Sequence, residues 1–125
     1  MRVAIVGSRN LTIKYIHKYF PENISIDEIV SGGASGIDSC AKRCAHENRI
    51  AYTEFLPDYR RYGRGAPILR NREIVDYADF VLIFWDGSSY GTKSVIDYCI
   101  NTDKPCKIFE FKMIGGEPFC PSHPL

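Results

Sequence analysis

Residues 79–85, with the sequence DFVLIFW, place six apolar side chains in succession after a single carboxylate. A strand this continuously apolar is typical of the centre of a parallel sheet, where other elements cover both faces. Parallel strands need a crossover connection, usually a helix, between each pair. The run therefore predicts an α/β fold in which strands and helices alternate along the chain.

The rest of the chain follows this alternation, because short apolar runs are separated by segments with helical spacing of apolar residues. The predicted strands are residues 2–7, 28–31, 50–55, 79–85 and 106–111, and the predicted helices are residues 11–20, 36–48, 67–77 and 91–101. With right-handed crossovers, this order predicts a three-layer Rossmann-like sandwich around a five-stranded, mostly parallel sheet. We expect one domain over residues 1–112 and an irregular C-terminal tail over residues 113–125.

Composition narrows the class of protein. The 16 basic and 15 acidic residues give a net charge of +1, which argues against a surface that broadly coats nucleic acid. No apolar run is long enough to cross a bilayer and no signal-peptide pattern is present, so we expect a cytoplasmic protein without a membrane segment. Five cysteines without CxxC spacing predict reduced thiols, although a zinc site using Cys120 and His123 stays open as an alternative.

Three of the predicted strand-to-helix connections are rich in glycine and hydroxyl side chains: GSRN at residues 7–10, SGGASGID at 31–38 and DGSSYGTK at 86–93. Because each follows a strand of a parallel sheet, all three are expected at one edge. Helix N-termini have free N–H groups and a positive dipole, and glycine lets a ligand approach the backbone. The three loops therefore predict a phosphate-binding site.

Arginines add to this prediction, since a planar guanidinium suits phosphate oxygens. Arg70 and Arg72 are expected to lie towards the same edge as Arg9, whereas Arg60 and Arg61 are more typical of a solvated loop. Tyr90 is a candidate for stacking on a base. The predicted ligand-binding residues are Gly7, Ser8, Arg9, Gly32, Gly33, Ser35, Gly36, Arg70, Asn71, Arg72, Asp86, Gly87, Ser88, Tyr90, Gly91 and Thr92.

A structural interpretation of the second loop stays open beside this one. Ser35 and Asp38 have the spacing of a capping box, in which both side chains would serve only the helix N-terminus. Asp38 is expected to be a cap and not a catalytic acid. Trp85 and Tyr90 are either stacking platforms for a base or sugar or a cover for the edge of the core, and Tyr59 and Tyr62 are the other aromatic residues of these loops.

The ordered motifs VGSR, SGGASGIDSCAKRCA, RNREIVDYADFVLIFWDG and GT resemble the SLOG superfamily over about residues 2–110. That group includes the DNA-processing protein A (Smf) family, the LONELY GUY phosphoribohydrolases and YpsA/YspA-like proteins, and the compact length looks most like the YspA branch. The resemblance implies a Rossmann-like fold that binds a nucleotide or a nucleotide-derived ligand. It also implies a homo-oligomer, because relatives in this group are often dimers or larger.

The chain departs from the phosphoribohydrolase pattern at one position. The resemblance places a catalytic glutamate where this sequence has Val95, and valine cannot act as an acid or a base. The family's catalytic arginine falls near Arg70, which keeps the capacity to bind phosphate. Asp86 and Asp97 are the nearby carboxylates that are candidates for a substitute catalytic role.

We therefore expect a module that binds a phosphorylated or ADP-ribose-like nucleotide, as a sensor or by sequestering it, without a required cofactor or metal. Two different functions stay open beside it. One is an enzyme that hydrolyses an N-glycosidic or phosphate bond of nucleotides. The second is single-stranded DNA binding, as the resemblance to DNA-processing protein A implies.

Overall fold

The central sheet of the computed structural model, which describes residues 1–123, has five strands. They are β1 Arg2–Gly7, β2 Glu28–Ser31, β3 Ala51–Glu54, β4 Phe80–Trp85 and β5 Cys106–Glu110. Their order across the sheet is β3-β2-β1-β4-β5, and every neighbouring pair is parallel. The prediction of an α/β fold with a five-stranded parallel sheet is confirmed.

Helices cover both faces of this sheet, as the alternation predicts. They are α1 Ile37–Glu47, α2 Tyr59–Tyr62, α3 Ala66–Tyr77 and α4 Tyr90–Asn101, with 3-10 turns at Ile16–Tyr19 and Gly63–Gly65. One core cluster joins α1 to Ile5 and Phe84, while another joins α3 and α4 to Val6 and Ile83. Successive residues of a strand face opposite sides, so β4 is apolar throughout because both of its faces are buried.

Phe84 is the centre of the core on the α1 side. Its side chain is fully buried, and its ring stacks on Phe109 with 5.2 Å between centroids. Tyr19 meets the same ring edge-on at 5.3 Å. This aromatic cluster fixes the end of β4 nearest the loop that follows it.

The predicted helix over residues 11–20 is wrong, since only Ile16–Tyr19 forms a turn of 3-10 helix there. The apolar residues Leu11, Ile16 and Tyr19 of this segment are nevertheless buried, Phe20 is half-buried and Tyr15 is exposed. Its backbone pairs with α1: Ile13 N–H donates to Cys40 Sγ at 3.4 Å, and the Ile13 carbonyl accepts from Arg43 at 3.1 Å. These tertiary contacts replace the hydrogen bonds that a helix would need.

Residues 57–66 lie between a predicted strand and a predicted helix and read as a loop, but they contain the short helix α2. Asp58 Oδ1 accepts a hydrogen bond from Arg61 N–H at 3.1 Å and so caps this helix. Pro67 lies in the first turn of α3, as predicted.

The segment from residue 113 is predicted to be irregular, but part of it forms an antiparallel hairpin of β6 Lys112–Ile114 and β7 Glu117–Phe119. Gly115 and Gly116 allow its tight turn, because both have positive φ angles, of 58° and 82°. Cys120 then returns to the core on the α1 side. Residues 124–125 of the predicted tail lie outside the described residues, and the domain boundary at residue 112 stays a prediction.

We predict that Phe84→Ala lowers the free energy of unfolding by about 3–5 kcal/mol, because it empties the centre of the aromatic cluster. Urea unfolding followed by circular dichroism measures this loss. Ile100, whose side chain is 62% exposed on α4, is the control. Ile100→Ala should change stability by less than about 0.5 kcal/mol, and a similar small change for Phe84→Ala would contradict this account of the core.

Candidate ligand-binding cleft

The cleft lies where the strand order of the sheet reverses, between β1 and β4. The chain leaves β1 towards the α1 face and leaves β4 into α4 on the opposite face. Ligands of open parallel sheets bind in the crevice that such a divergence creates. Here the crevice contains an inner hollow of about 70 Å³. Its lining is Val6, Gly7, Arg9, Ala34, Asp38, Pro67, Arg70, Asn71, Gly91, Thr92 and Val95.

Three larger hollows adjoin the inner one and share its residues, and a small hollow of about 30 Å³ shares Asn71 and Val95 with it and is also lined by Arg72. One of about 310 Å³ continues from Arg9 and Thr92 to Ser8, Asn10, Asp86 and Ser89. Another of about 220 Å³ continues from Arg9 and Arg70 to Gly32, Gly33, Ser35, Leu56, Pro57 and Tyr59. The last, of about 270 Å³, runs from Arg70 past Leu56 to Asp58, Arg61, Tyr62, Ala66 and Glu73. The inner hollow and these three larger ones share lining residues, and we call the four together the trough.

Ser8 joins the loops that follow β1 and β4, at the switch point where the strand order of the sheet reverses. Its side chain is buried, and its Oγ accepts hydrogen bonds from the Asp86 N–H at 3.0 Å and from the Ser89 hydroxyl at 2.8 Å. Thr92 Oγ1 lies 3.5 Å from the same atom. The hydroxyl that the sequence suggested for a ligand is therefore used mainly to join the β1 and β4 loops.

Asp86 is an ionised residue that stabilises the turn before α4. Burial acts to raise its pKa, but hydrogen bonds, among them those from the Ser88 and Ser89 N–H groups, outweigh burial and lower it. The two N–H groups donate to Oδ1 at 2.9 and 2.7 Å. Since it stays ionised, Asp86 does not suit the role of a general acid.

Asp97, the second catalytic candidate, lies two turns along α4 and forms an exposed ion pair with Lys93 at 2.5 Å. It lines none of the four hollows. The geometry gives it the role of an ordinary i,i+4 partner on the helix surface.

Arg70 lies in the middle of α3 with only 6% of its surface exposed. Its Nη1 donates to the carbonyls of Gly32 at 2.5 Å and Phe55 at 3.2 Å, and its Nε donates to Asn71 Oδ1 at 2.8 Å. Burial lowers the pKa of Arg70, and the charge of Asp38 opposes that effect. The guanidinium thus ties the loops after β2 and β3 to α3.

Asp38 is also 6% exposed and lines the inner hollow. Its Oδ2 accepts from the Ala34 N–H at 3.1 Å. The expected capping box is absent, because Gly36 is the N-cap of α1 and no side chain caps it. Burial raises the pKa of Asp38, while the Ala34 hydrogen bond and the positive charges of Arg70 and Arg9 act against the rise.

Most glycines of the loops serve close packing within the protein. A Cβ at Gly7 would strike the Phe84 carbonyl, and one at Gly32 would lie 2.8 Å from the Arg70 guanidinium. Gly91 differs, because a Cβ there would meet nothing within 4 Å. It lies in the first turn of α4 and lines the inner hollow, so its missing side chain leaves the helix N-terminus open to the cleft.

The structure brings most of the predicted ligand residues together and separates the rest. Those that line the trough are Gly7, Ser8, Arg9, Gly32, Gly33, Ser35, Arg70, Asn71, Asp86, Gly91 and Thr92. Those that line none of its hollows are Gly36, Arg72, Gly87, Ser88 and Tyr90. Arg72 is exposed on α3, and its guanidinium lies over the Tyr98 ring at 5.5 Å.

Sequence reasoning underestimated two parts of the trough. Asp38 is predicted only to cap α1, because its burial beside Arg70 leaves no local pattern in the sequence. Leu56 was missed, although it is 67% exposed beside Tyr59, and an exposed leucine before PDYRRY was an available signal.

The cysteines and His123 take part in contacts elsewhere. All five cysteines are free thiols. Among residues 1–123, no three histidine, cysteine, aspartate or glutamate side chains are grouped so as to hold a metal ion. His123 Nε2 lies 3.0 Å from the Lys18 carbonyl, and its ring packs on Tyr19.

No helix within residues 1–123 combines the length and the apolar character needed to span a membrane.

Comparison with known proteins supports the fold. No protein-family model matches the chain, and no curated protein matches its sequence. Among solved structures, the chain is similar to DNA processing protein A from Helicobacter pylori, with a TM-score of 0.65 and 23% identity. The match covers 86% of this chain and 64% of the matched chain, so this chain spans less than two thirds of that protein's length. That structure comes from work on the protein's single-stranded DNA binding mode.

We predict that Asp38→Asn stabilises the protein more at pH 7 than at pH 4. Because burial raises the pKa of the folded-state carboxyl, the neutral acid is the form that folding favours. The contribution of Asp38 to the free energy of unfolding of the wild type is thus greatest below the unfolded-state pKa of this carboxyl. It declines as pH rises through the folded-state pKa. Urea unfolding of both proteins at the two pH values measures the difference. A wild type that gains stability over the variant as pH rises would contradict this.

Proposed function

We propose that this chain binds single-stranded nucleic acid along the trough. The observation that carries the proposal is the shape of the site. Four hollows with shared lining residues lie at the edge of the sheet where the strands end, and Arg9 and Arg70 each line three of them. An extended chain of alternating phosphates and bases suits such a groove better than a compact ligand does.

The α4 end of the trough suits a phosphate. The first N–H groups of a helix lack partners within it and carry the positive end of its dipole. Gly91 leaves that N-terminus uncovered, and Arg9, which is exposed, lines the adjoining hollows. A guanidinium and backbone N–H groups together can bind two or more phosphate oxygens.

The α2 end of the trough suits bases. Leu56, Tyr59 and Tyr62 are 67%, 57% and 39% exposed, although all three have large apolar surfaces. Arg61 lies 5.2 Å from the centre of the Tyr62 ring. Exposed aromatic rings beside arginines are the platforms on which single-stranded nucleic acids stack, with little dependence on base sequence.

The charge of the trough is mixed, which predicts modest affinity. The carboxylates that line it are Asp38, Asp58, Glu73 and Asp86. Backbone N–H groups donate to each of them except that of Glu73, which takes part in none of the hydrogen bonds of residues 1–123. The fold likeness to a protein with a single-stranded DNA binding mode favours strand binding over hydrolysis of nucleotides and over the sensing of a free nucleotide.

A free nucleotide or nucleotide-derived ligand is the second candidate, and the position of the cleft at the switch point favours it. Pockets that enclose small molecules measure about 300–1,000 Å³. The inner hollow of about 70 Å³ is too small to enclose a nucleotide, so such a ligand would lie in the open trough. Competition by mononucleotides against a bound strand distinguishes the two candidates.

That this chain forms a homo-oligomer also stays a proposal.

We predict that Arg9→Gln weakens the binding of a labelled 20-nucleotide single strand several-fold and lowers its salt dependence. Loss of one phosphate contact should reduce the slope of log affinity against log salt by about 0.7. Fluorescence anisotropy titrations at several salt concentrations measure both effects. Arg49→Gln is the matched control, because Arg49 is exposed just beyond the C-terminus of α1, at the opposite edge of the sheet.

If Arg9→Gln and Arg49→Gln lose equal affinity for the strand, only the net charge of the protein matters. The trough would then not be the binding surface. Absence of binding by the wild type at low salt would contradict the proposed function. Tight binding of a mononucleotide with no binding of the strand would favour the second candidate.

We predict that Gly91→Ala weakens strand binding without lowering stability. Alanine favours a helix over glycine by up to about 1 kcal/mol, and the new methyl group has open space in the free protein. In the complex that methyl group occupies the position of the ligand. Thermal unfolding and anisotropy report the two quantities separately.

Gly65→Ala is the control, since a Cβ at Gly65 also meets nothing within 4 Å and Gly65 lines none of the four hollows. Unchanged binding by Gly91→Ala would show that the ligand does not approach the N-terminus of α4.

A further inference from the structure

The inner hollow contains an unusual pair for a site that binds phosphates. Asp38 and Arg70 both line it, and each is more than nine-tenths buried. A phosphate placed there would meet the Arg70 guanidinium but would also face a buried carboxylate. Burial strengthens that repulsion, because little water is present to screen it.

Each of these two side chains has one polar atom that no hydrogen bond of residues 1–123 engages. Among the hydrogen bonds of residues 1–123, Arg70 uses Nη1 and Nε, and Nη2 is not engaged. Asp38 accepts at Oδ2 from the Ala34 N–H, and Oδ1 takes part in none of these bonds. The lining of the hollow therefore includes one side chain with a free donor and one with a free acceptor.

We propose that Asp38 makes the inner hollow a subsite for an uncharged group that donates a hydrogen bond, while the phosphates stay in the outer hollows. The inference rests on the proposed function and deepens it. A volume of about 70 Å³ holds a hydroxyl or the edge of a base but not a whole nucleotide. The donor is a sugar hydroxyl or a base N–H, and both have this chemistry.

Three labelled strands of equal length distinguish the two sources: deoxyuridine, N3-methyldeoxyuridine and uridine oligonucleotides. The second lacks the base N–H but keeps the ring that stacks, and the third adds a 2′-hydroxyl. Each is titrated against the wild type and against Asp38→Asn. The variant keeps an oxygen for the Ala34 N–H, but it replaces the second acceptor with an NH₂ group.

If a sugar hydroxyl fills the hollow, uridine binds the wild type about tenfold more tightly than deoxyuridine. If a base N–H fills it, deoxyuridine exceeds its N3-methyl form by about the same factor. In either case, Asp38→Asn should bring the ratio close to one. The ratios of the wild type stand by themselves, so they test the donor even if the variant folds poorly.

Three equal affinities in the wild type would overturn the inference while leaving the proposed function intact. A uniform increase for all strands in Asp38→Asn would also overturn it, because Asp38 would then only repel phosphate. Absence of binding by every strand would instead contradict the proposed function itself.

Discussion

The parallel pairing of β1 with β4 is the constraint on which the whole cleft depends. It brings Gly7 beside Phe84, and the Ser8 N–H then donates to the Phe84 carbonyl at 3.0 Å. A side chain at position 7 would strike that carbonyl, so the close approach requires glycine. Because the chain leaves the two strands towards opposite faces, this pairing opens the crevice, and the Ser8 hydroxyl keeps its two walls at a fixed separation.

Much of the fold is readable from the sequence, because the five strands and the long helices have apolar periodicities that match their final environment. The helix predicted at 11–20 is wrong for a tertiary reason. The N–H and carbonyl of Ile13 form hydrogen bonds with the side chains of Cys40 and Arg43 on α1. Arg72 lies outside the trough for a geometric reason. It follows Arg70 by two residues on α3, and such positions do not share a helix face.

The site was only partly predictable, because glycine has two roles that look alike in a sequence. Gly7 and Gly32 allow parts of the protein to approach each other, whereas Gly91 leaves space that the protein does not fill. The spacing of the loops cannot separate these cases. Nor could the spacing show that Asp38 and Arg70 are both buried and line the same hollow, since one lies on α1 and the other on α3.

The position of β1 in the sheet also has a consequence for synthesis. Of the five strands of the sheet, β1 is synthesised before the others, yet it becomes the middle strand. Its partner β4 begins 78 residues after it (Arg2 to Phe80). A nascent chain can pair β1 with β2 early but must leave the opposite edge of β1 bare until β4 emerges. Contacts between such distant segments form slowly, and bare strand edges attract foreign chains. During synthesis on the ribosome, the chain thus exposes an aggregation-prone strand edge that β4 covers in the folded protein.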